Sequence, residues 1–434
     1  MTDPAIRVGI RRDPDLDPTA PLPASDPALV ARIADEINAL GPMTFARFMA
    51  LALYDPEAGY YARPTTAQGP GRSGDFLTAP EGHPIFGWSI ARFLEASWKA
   101  VGSPGRFVVR EHGAGTGALA VGILDGLRRS ASALLDAVEY QAVDVAPARR
   151  QALEARLADA GLATYLRDAD ADATPAPGAV IANELLDALP VHRVQGGPDG
   201  ALFERFVTLG PGVDLEDAAN AGDAANAANA ANAATFDTVL AAPSTLALAA
   251  RLAAEGIALQ EGQPAEICLE IDAWLAVATA PLERGVALLI DYGYPAGQLY
   301  EPARGSTLRA YHRHRVHADP FVAIGRQDLT AHVDLTAVER AARAAGLDRI
   351  GRTTQGPFLA ALEAGELLVG LQSDPTTTLA SYVEARSALM RMLDPRATGA
   401  FAVLAFGRGL PPGTRLPGFD GVPSASEATA RPDR

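Results

Sequence analysis

Three glycines at alternate positions, Gly113, Gly115 and Gly117, follow the apolar run FVVREH and precede the helical pattern ALAVGILDGLRRS. Glycine after a strand lets the backbone turn sharply and approach a ligand with no Cβ in the way. The spacing is G-x-G-x-G, one step shorter than the G-x-G-x-x-G that seats a pyrophosphate on a helix N-terminus. Two acids frame the loop: Glu111 stands two residues before the first glycine, and Asp144 ends the next apolar run, VEYQAVDV. Asp144 is placed where doubly wound nucleoside-binding sheets put a carboxylate for the ribose hydroxyls. Glu111 fits a buried acid that orients the loop or meets a cationic ligand. A sulfonium cofactor such as S-adenosylmethionine supplies such a cation, so the three features together favour it over a nicotinamide dinucleotide. The plainer readings are a tight turn for the glycines, a solvated strand-end acid for Asp144 and a surface charge for Glu111.

A second constellation lies in ANELLDALP, which sets Asn183, Glu184 and Asp187 just after another apolar run. The carboxyl edge of a parallel sheet is where a reacting substrate meets its cofactor. If the segment turns helical, Glu184 and Asp187 are three apart and share a face. They would then form a carboxylate site for a cationic acceptor nitrogen; the simpler alternative is a helix cap with surface acids. Glu266 and Glu270 in PAEICLEIDAW, four apart, share a face if that stretch is helical, and read more simply as a solvated face. Asp291 in DYG either lines an acceptor channel or caps the strand end.

His312, His314 and His317 invite a metal reading. Arg309, Arg313 and Arg315 are interleaved with them and repel a cation, and no carboxylate cluster completes a ligand set, so no metal is expected. The block suits an acidic partner surface or a polar loop folded over the site. His332 reads as a structural histidine. Neither a G-x-S-x-G hydrolase elbow nor a G-x-x-x-x-G-K-S/T nucleotide loop supports a rival chemistry. In GRSGDFLTAP, Gly71 and Gly74 give flexibility, and Asp75, Phe76 and Thr78 offer contacts for a segment closing over the cofactor. An ordinary turn between domains is the alternative.

The elements that must position these residues alternate. Runs at Phe107–Gly113 and Val138–Val145, an uncertain one in ATYLRDA, and one in GAVIANELLDALP read as strands separated by helical stretches. That order implies a parallel, doubly wound sheet. GVALLIDYG and GAFAVLAFGRG add later strands, RIGRTTQG another, and VHRVQGGPDGALFERFVTL a hairpin. Upstream, PALVARIADEINAL is helical behind Ser25 or Asp26 as cap, and Thr44 caps TFARFMALALY, which stops at Asp55-Pro56. The expected organisation is a disordered segment over 1–26 and an N-terminal helical and lid region over 27–104. A cofactor-binding core then covers 105–310, with a low-complexity Ala/Asn-rich insertion near 216–235. Substrate-cap elements and completion of the sheet occupy 311–410, and a flexible tail 411–434.

Lysine plus arginine number 37 against 52 aspartates and glutamates, a net charge of −15 over 434 residues. That balance argues against broad nucleic-acid or anionic-membrane binding. A hydrophobic fraction of 48% with 21% charged residues excludes global disorder. The single cysteine, Cys268, excludes an intramolecular disulfide framework and fits a reducing compartment. The first residues carry no apolar targeting core, and no apolar run approaches the ~20 residues of a membrane span. A soluble cytoplasmic protein is expected.

The motifs GDFLTAPEGHPIFG, EHGAGTG, ANELLDALPVHR, LLIDYG, and GSTLRAYHRHRVHADPF with QDLTAHVDLTAV run in that order between about Gly41 and Gly409. Together they resemble the MidA-like family, related to the mitochondrial methyltransferase required for respiratory complex I assembly. The glycine loop departs from the family's Pro and Arg, having Ala114 and Thr116, and the Ala/Asn-rich insertion has no counterpart there. The resemblance implies an α/β fold: a Rossmann-like class I methyltransferase sheet with N-terminal helices and an added helical substrate cap. It implies S-adenosyl-L-methionine as cofactor, with Asp75, Phe76 and Thr78 lining the active site. It implies an arginine of a partner protein as methyl acceptor, in respiratory chains a complex I core subunit; apart from the resemblance, a homodimer is a further expectation. Under it, Glu184 is the main acid clamping the acceptor, with Asp187 and Asn183 beside it. The rivals are a nicotinamide-dependent oxidoreductase, a non-catalytic assembly factor that binds S-adenosylmethionine, and a small-molecule methyltransferase with a closed apolar pocket.

Overall fold

In a computed structural model of the chain, the described residues are 21–62, 78–144, 146–168, 174–210 and 236–419. Gly71, Gly74, Asp75, Phe76 and the Ala/Asn-rich insertion lie outside the described residues. Seven apolar runs pair into one sheet: β1 (Phe107–His112), β2 (Val138–Val143), β3 (Leu166–Arg167), β4 (Ala176–Asn183), β5 (Leu282–Asp291), β6 (Asp348–Thr354) and β7 (Ala402–Arg408). Their spatial order is β6-β7-β5-β4-β1-β2-β3. The strands from β1 to β5 pair in parallel, whereas β7 runs antiparallel to both β5 and β6. The central strands are covered on both faces, which explains their unbroken apolar sequence. The third strand is shorter than the ATYLRDA run suggested, because a 3₁₀ turn over Ala163–Tyr165 takes its first half.

The helices follow their local signals. Helix α1 (Pro27–Leu40) starts behind Asp26, whose carboxylate accepts the N–H groups of Ala28 at 3.1 Å and Leu29 at 3.3 Å. Ser25 instead accepts the Ile324 N–H at 3.0 Å, which pins this end of the expected disordered segment. Helix α2 (Phe45–Tyr54) starts behind Thr44, which accepts from the Arg47 N–H at 3.2 Å. Helices α3 (Ile85–Ala100), α4 (Ala118–Arg129) and α5 (Pro147–Asp159) belong to the core. The tail expected to be flexible begins with a packed stretch: Leu416 and Phe419 are buried, and the Phe419 ring lies 5.4 Å from that of Phe358.

Between β4 and β5 the chain builds a second sheet from His192–Gly196, Leu202–Leu209, Phe236–Ala241 and Pro264–Ile267, joined by Met43–Thr44. Added helices stand between β6 and β7, at Gln355–Ala361, Ala364–Gly370 and Leu379–Leu393. Helices α1 and α2 share an apolar cluster with the second sheet. Phe48 is its hub, fully buried, with its ring 5.6 Å from Phe45, 6.0 Å from Phe236 and 5.2 Å from Phe321. Phe48→Ala should cost about 3–5 kcal/mol, the usual range for a buried phenylalanine. Urea unfolding measures it, and unchanged stability would show that this cluster does not bind α2 to the second sheet.

Candidate active site

The chain order reverses between β1 and β4, the switch point at which doubly wound sheets bind ligands outside their carboxyl ends. All the candidate residues on the core strands come to this edge. The glycine loop leaves β1 with Gly113, Gly115 and Gly117 all at positive φ, 72°, 54° and 81°. Their reasons for being glycine differ. A Cβ on Gly113 would meet Leu185 Cδ1 at 2.7 Å, and one on Gly117 would meet Leu153 Cγ at 2.7 Å. A Cβ on Gly115 would approach only the Gly113 carbonyl, at 3.9 Å, so this position faces open space. Such a cradle, closed by a side chain and open to a backbone approach, fits a cofactor.

Asp144 already holds two backbone donors. Its Oδ2 accepts the Gly115 N–H at 2.9 Å and its Oδ1 the Ala146 N–H at 3.1 Å, so it braces the glycine loop from β2. Glu111 is buried and bonded to the Tyr140 hydroxyl at 2.5 Å. Burial raises its carboxyl to about 8 against the pull of Tyr140, and Asp144 adds to the rise.

The acids after β4 are brought together by a sharp turn, not by the helix face expected from their spacing. Glu184 has φ 51°, in the left-handed region, and a 3₁₀ turn follows at Leu186–Ala188. Backbone hydrogen bonding dictates this: the Glu184 N–H donates to Ile290 O at 2.8 Å, continuing the pairing with β5. Asp291 then collects the next three N–H groups on Oδ2, from Leu185 at 3.1 Å, Leu186 at 2.8 Å and Asp187 at 3.2 Å. Asp291 is thus the cap, not a channel wall.

Burial, then the neighbouring Asp187, raise Glu184 to about 8, while the Asn183 side chain and the Ala79 backbone oppose the shift. Asp187 is also raised by burial, opposed by a hydrogen bond with Tyr292. Asn183 donates to Glu184 Oε1 at 3.2 Å, and its own buried Oδ1 accepts nothing. A donor brought by a ligand would complete it. Thr78 precedes the short helix Ala79–Gly82, which reaches the glycine loop: Glu81 bonds Thr116 and Arg156.

Several contributors carry no local sequence signal. Tyr54 donates to Ala188 O at 2.9 Å and stacks on Tyr61 at 5.5 Å, and Tyr61 donates to Asp328 Oδ1 at 2.9 Å. The charges of Asp187, Asp328 and Glu184 help hold the Tyr311 hydroxyl up at about 12, after burial as the main cause. The guanidinium of Arg149 lies 4.8 Å from the Tyr61 ring, almost wholly buried, with its Nε unpartnered.

Glu266 and Glu270 do not share a face. Glu266 lies in a strand, because the apolar stretch around it pairs with His192–Gln195, and Glu270 opens the next helix. The Glu266 carboxylate takes Ser306 Oγ at 2.6 Å and the Thr307 N–H at 2.7 Å, a structural clamp. The arginine–histidine block forms a hairpin, Arg309–His312 against Arg315–His317, that turns through Arg313 and His314 at positive φ. His312 is buried with Nδ1 3.0 Å from the Arg326 carbonyl, and His332 packs between Tyr292 and Tyr294. Among the described residues, no three His, Cys, Asp or Glu are grouped to hold a metal, and no helix is long and apolar enough to cross a membrane.

A sequence profile of S-adenosyl-L-methionine-dependent methyltransferases matches residues 89–353. The chain belongs to this family. A Drosophila melanogaster relative, named a mitochondrial protein arginine methyltransferase NDUFAF7 homolog, is 30% identical, over 76% of this chain and 74% of its own. The human protein arginine methyltransferase NDUFAF7 is 26% identical, over 74% and 70%. A Burkholderia thailandensis crystal structure with bound S-adenosyl-homocysteine superposes with a TM-score of 0.78 at 32% identity, covering 92% of this chain and 98% of that one. The cofactor is S-adenosyl-L-methionine, and the family resemblance and α/β fold read from the sequence hold.

Two expectations follow for this methyltransferase. Gly115→Ala, strained by about 1–2 kcal/mol in the left-handed region, should stay folded while calorimetry shows S-adenosyl-homocysteine binding weakened about tenfold or more. Gly117→Ala, against Leu153, should lose more stability; equal effects of the two on binding and melting temperature would mean that neither faces the ligand specifically. The second concerns Glu111. A cationic cofactor favours its ionised form, so its proton affinity falls on binding and a proton is released below about 8. Affinity for S-adenosylmethionine should therefore rise with pH up to about 8 and level off above it, and Glu111→Gln should flatten that slope. A pH-independent wild-type affinity contradicts this.

Proposed function

We propose that this methyltransferase acts on an arginine side chain of a partner protein. The observation that carries the reading is the pair of raised, buried acids Glu184 and Asp187 beside Tyr292 and Tyr311, on a turn to which Tyr54 bonds. A planar cation fits such a lining: carboxylates clamp its N–H fork, and aromatic faces stack on its plane. Arg149 over Tyr61 is an internal example of the same stacking. A small-molecule acceptor site would be expected to be more apolar. The names of the relatives, as protein arginine methyltransferases, point the same way.

The chemical demand is set by guanidinium, whose pKa is about 13 or higher. Its nitrogen needs a free lone pair to accept a methyl group. Bound S-adenosylmethionine would supply that methyl as an electrophile, next to the glycine loop braced by Asp144. Glu184 would hold one edge of the guanidinium and take the proton that leaves as the new N–C bond forms. Raising its carboxyl from 4.5 to about 8 makes it a better proton acceptor than an ordinary glutamate. Asp187, held by Tyr292, would hold the other edge, and the Asn183 Oδ1 would accept an N–H. Positioning accounts for most of the acceleration.

The proposal extends, on family resemblance, to a complex I core subunit as partner; a cytoplasmic location and a homodimer are separate proposals that do not rest on it. The added helices between β6 and β7 would form part of the substrate cap.

The experiment supplies S-adenosylmethionine labelled on the methyl group to an extract of cells lacking this protein. Methylarginine is then sought in protein hydrolysates by mass spectrometry. The wild type should produce it, with a rate that rises with pH up to about 8 as Glu184 ionises. Glu184→Gln should lower the rate about a hundredfold or more while S-adenosyl-homocysteine affinity changes only slightly. Label found only in small molecules, or on another side chain, would overturn the reading.

A further inference from the structure

The short helix Ala79–Gly82 touches both halves of the site. On one side, Glu81 accepts a hydrogen bond from the hydroxyl of Thr116, which lies between Gly115 and Gly117 in the cofactor loop. Arg156, from α5, closes the contact: its Nη1 donates to Glu81 Oε1 at 2.9 Å and to Thr116 Oγ1 at 2.8 Å, and its Nη2 to Glu81 Oε2 at 3.2 Å. Three elements therefore meet on one carboxylate, whose side chain is 13% exposed. On the other side, the backbone of Ala79 hydrogen-bonds the carboxyl of Glu184. Ala79 and Glu81 are two residues apart on one turn, so they cannot move independently. Gly82 rests against Met392, which backs the turn from outside.

We propose that Glu81, with Thr116 and Arg156, is a positioning latch that holds Ala79 against Glu184, so that the acceptor acid is set by the same contact that fixes the cofactor loop. The proposal rests on the reading of Glu184 as the acceptor-side acid, but the latch itself is a property of the chain without substrate. Its consequence is directional. The Ala79 N–H favours the ionised form of Glu184, so releasing the latch favours the neutral form. Asp187, on its own turn, also faces this carboxyl and acts in the opposite sense to Ala79, whereas the Asn183 side chain acts in the same sense as Ala79. The charge of Glu184 in turn raises Asp291 at the end of β5 and Tyr311 in the hairpin.

The test is a pH titration of the full chain carrying glutamate labelled with ¹³C at the side-chain carboxyl. The Glu184 signal is identified by its loss in Glu184→Gln. In Glu81→Gln the Glu184 midpoint should move to higher pH by about half a unit or more, a small fraction of what burial can impose. Thr116→Val, which removes one donor and no charge, should move it in the same direction by less. It decides the matter if Glu81→Gln does not fold. An unmoved midpoint in a folded variant overturns the latch. The arginine reading fails separately, if Glu184→Gln transfers methyl groups to arginine as well as the wild type does.

Discussion

The site depends on one carboxylate that does no chemistry. Asp291 ends β5 and gathers on a single oxygen the N–H groups of Leu185, Leu186 and Asp187, while its other oxygen takes the Tyr292 N–H at 2.8 Å. Buried N–H groups left without acceptors cost about 1–3 kcal/mol each, so the turn after β4 has one stable course. That course forces Glu184 into the left-handed region and drives Leu185 onto the glycine loop. Gly113 is then glycine for a packing reason, since a Cβ there would meet Leu185 at 2.7 Å. The cofactor loop and the acidic turn, far apart in the chain, become one surface through this contact.

Several buried acids outside the site are matched by the protein's own donors, although Glu255 is raised to about 8 by burial and by Asp334. Glu204 is fully buried, yet His192 and Ser244 hold its carboxyl below the usual range. Glu266 is answered by Ser306 and Thr307. These acids are satisfied by the protein's own donors. Glu184, Asp187 and Glu111 are raised instead, because burial outweighs the few donors they have. At this edge of the sheet the raised acids coincide with a residue in the left-handed region, Glu184, a combination that occurs at functional sites.

What the sequence made legible was local. The alternation of strands and helices, the glycine loop, the acid before it and the caps of α1 and α2 are each written in consecutive residues. The ANELLDALP acids were found for their position after a strand, though the helix face assumed for them does not exist. Spacing alone does not distinguish a helix from a turn held by a distant Asp291. Asp291 and Glu266 were ambiguous for the same reason, since their roles are fixed by donors from other elements. Tyr54, Tyr61, Tyr311, Arg149 and Arg156 were invisible, because each reaches the site from an element whose own pattern says only helix, turn or hairpin.

The distribution of acids also bears on the order of events. A methyl transfer between a sulfonium and a protonated nitrogen brings two cations together, which in a poorly solvated cleft is strongly unfavourable unless negative charge is already there. On the proposed reading, Glu111 would stand on the cofactor side and Glu184 with Asp187 on the acceptor side, so each cation would have its own acid. With neither present, the acids are partly protonated and the repulsion between them is relieved. Arrival of the first cation would ionise the acid nearest to it, and the added negative charge would favour arrival of the second. After transfer the sulfur of the product would be neutral, and Glu111 would lose the charge that favoured its ionised form. The same burial that raised Glu111 would then favour its protonation and ease release of the spent product.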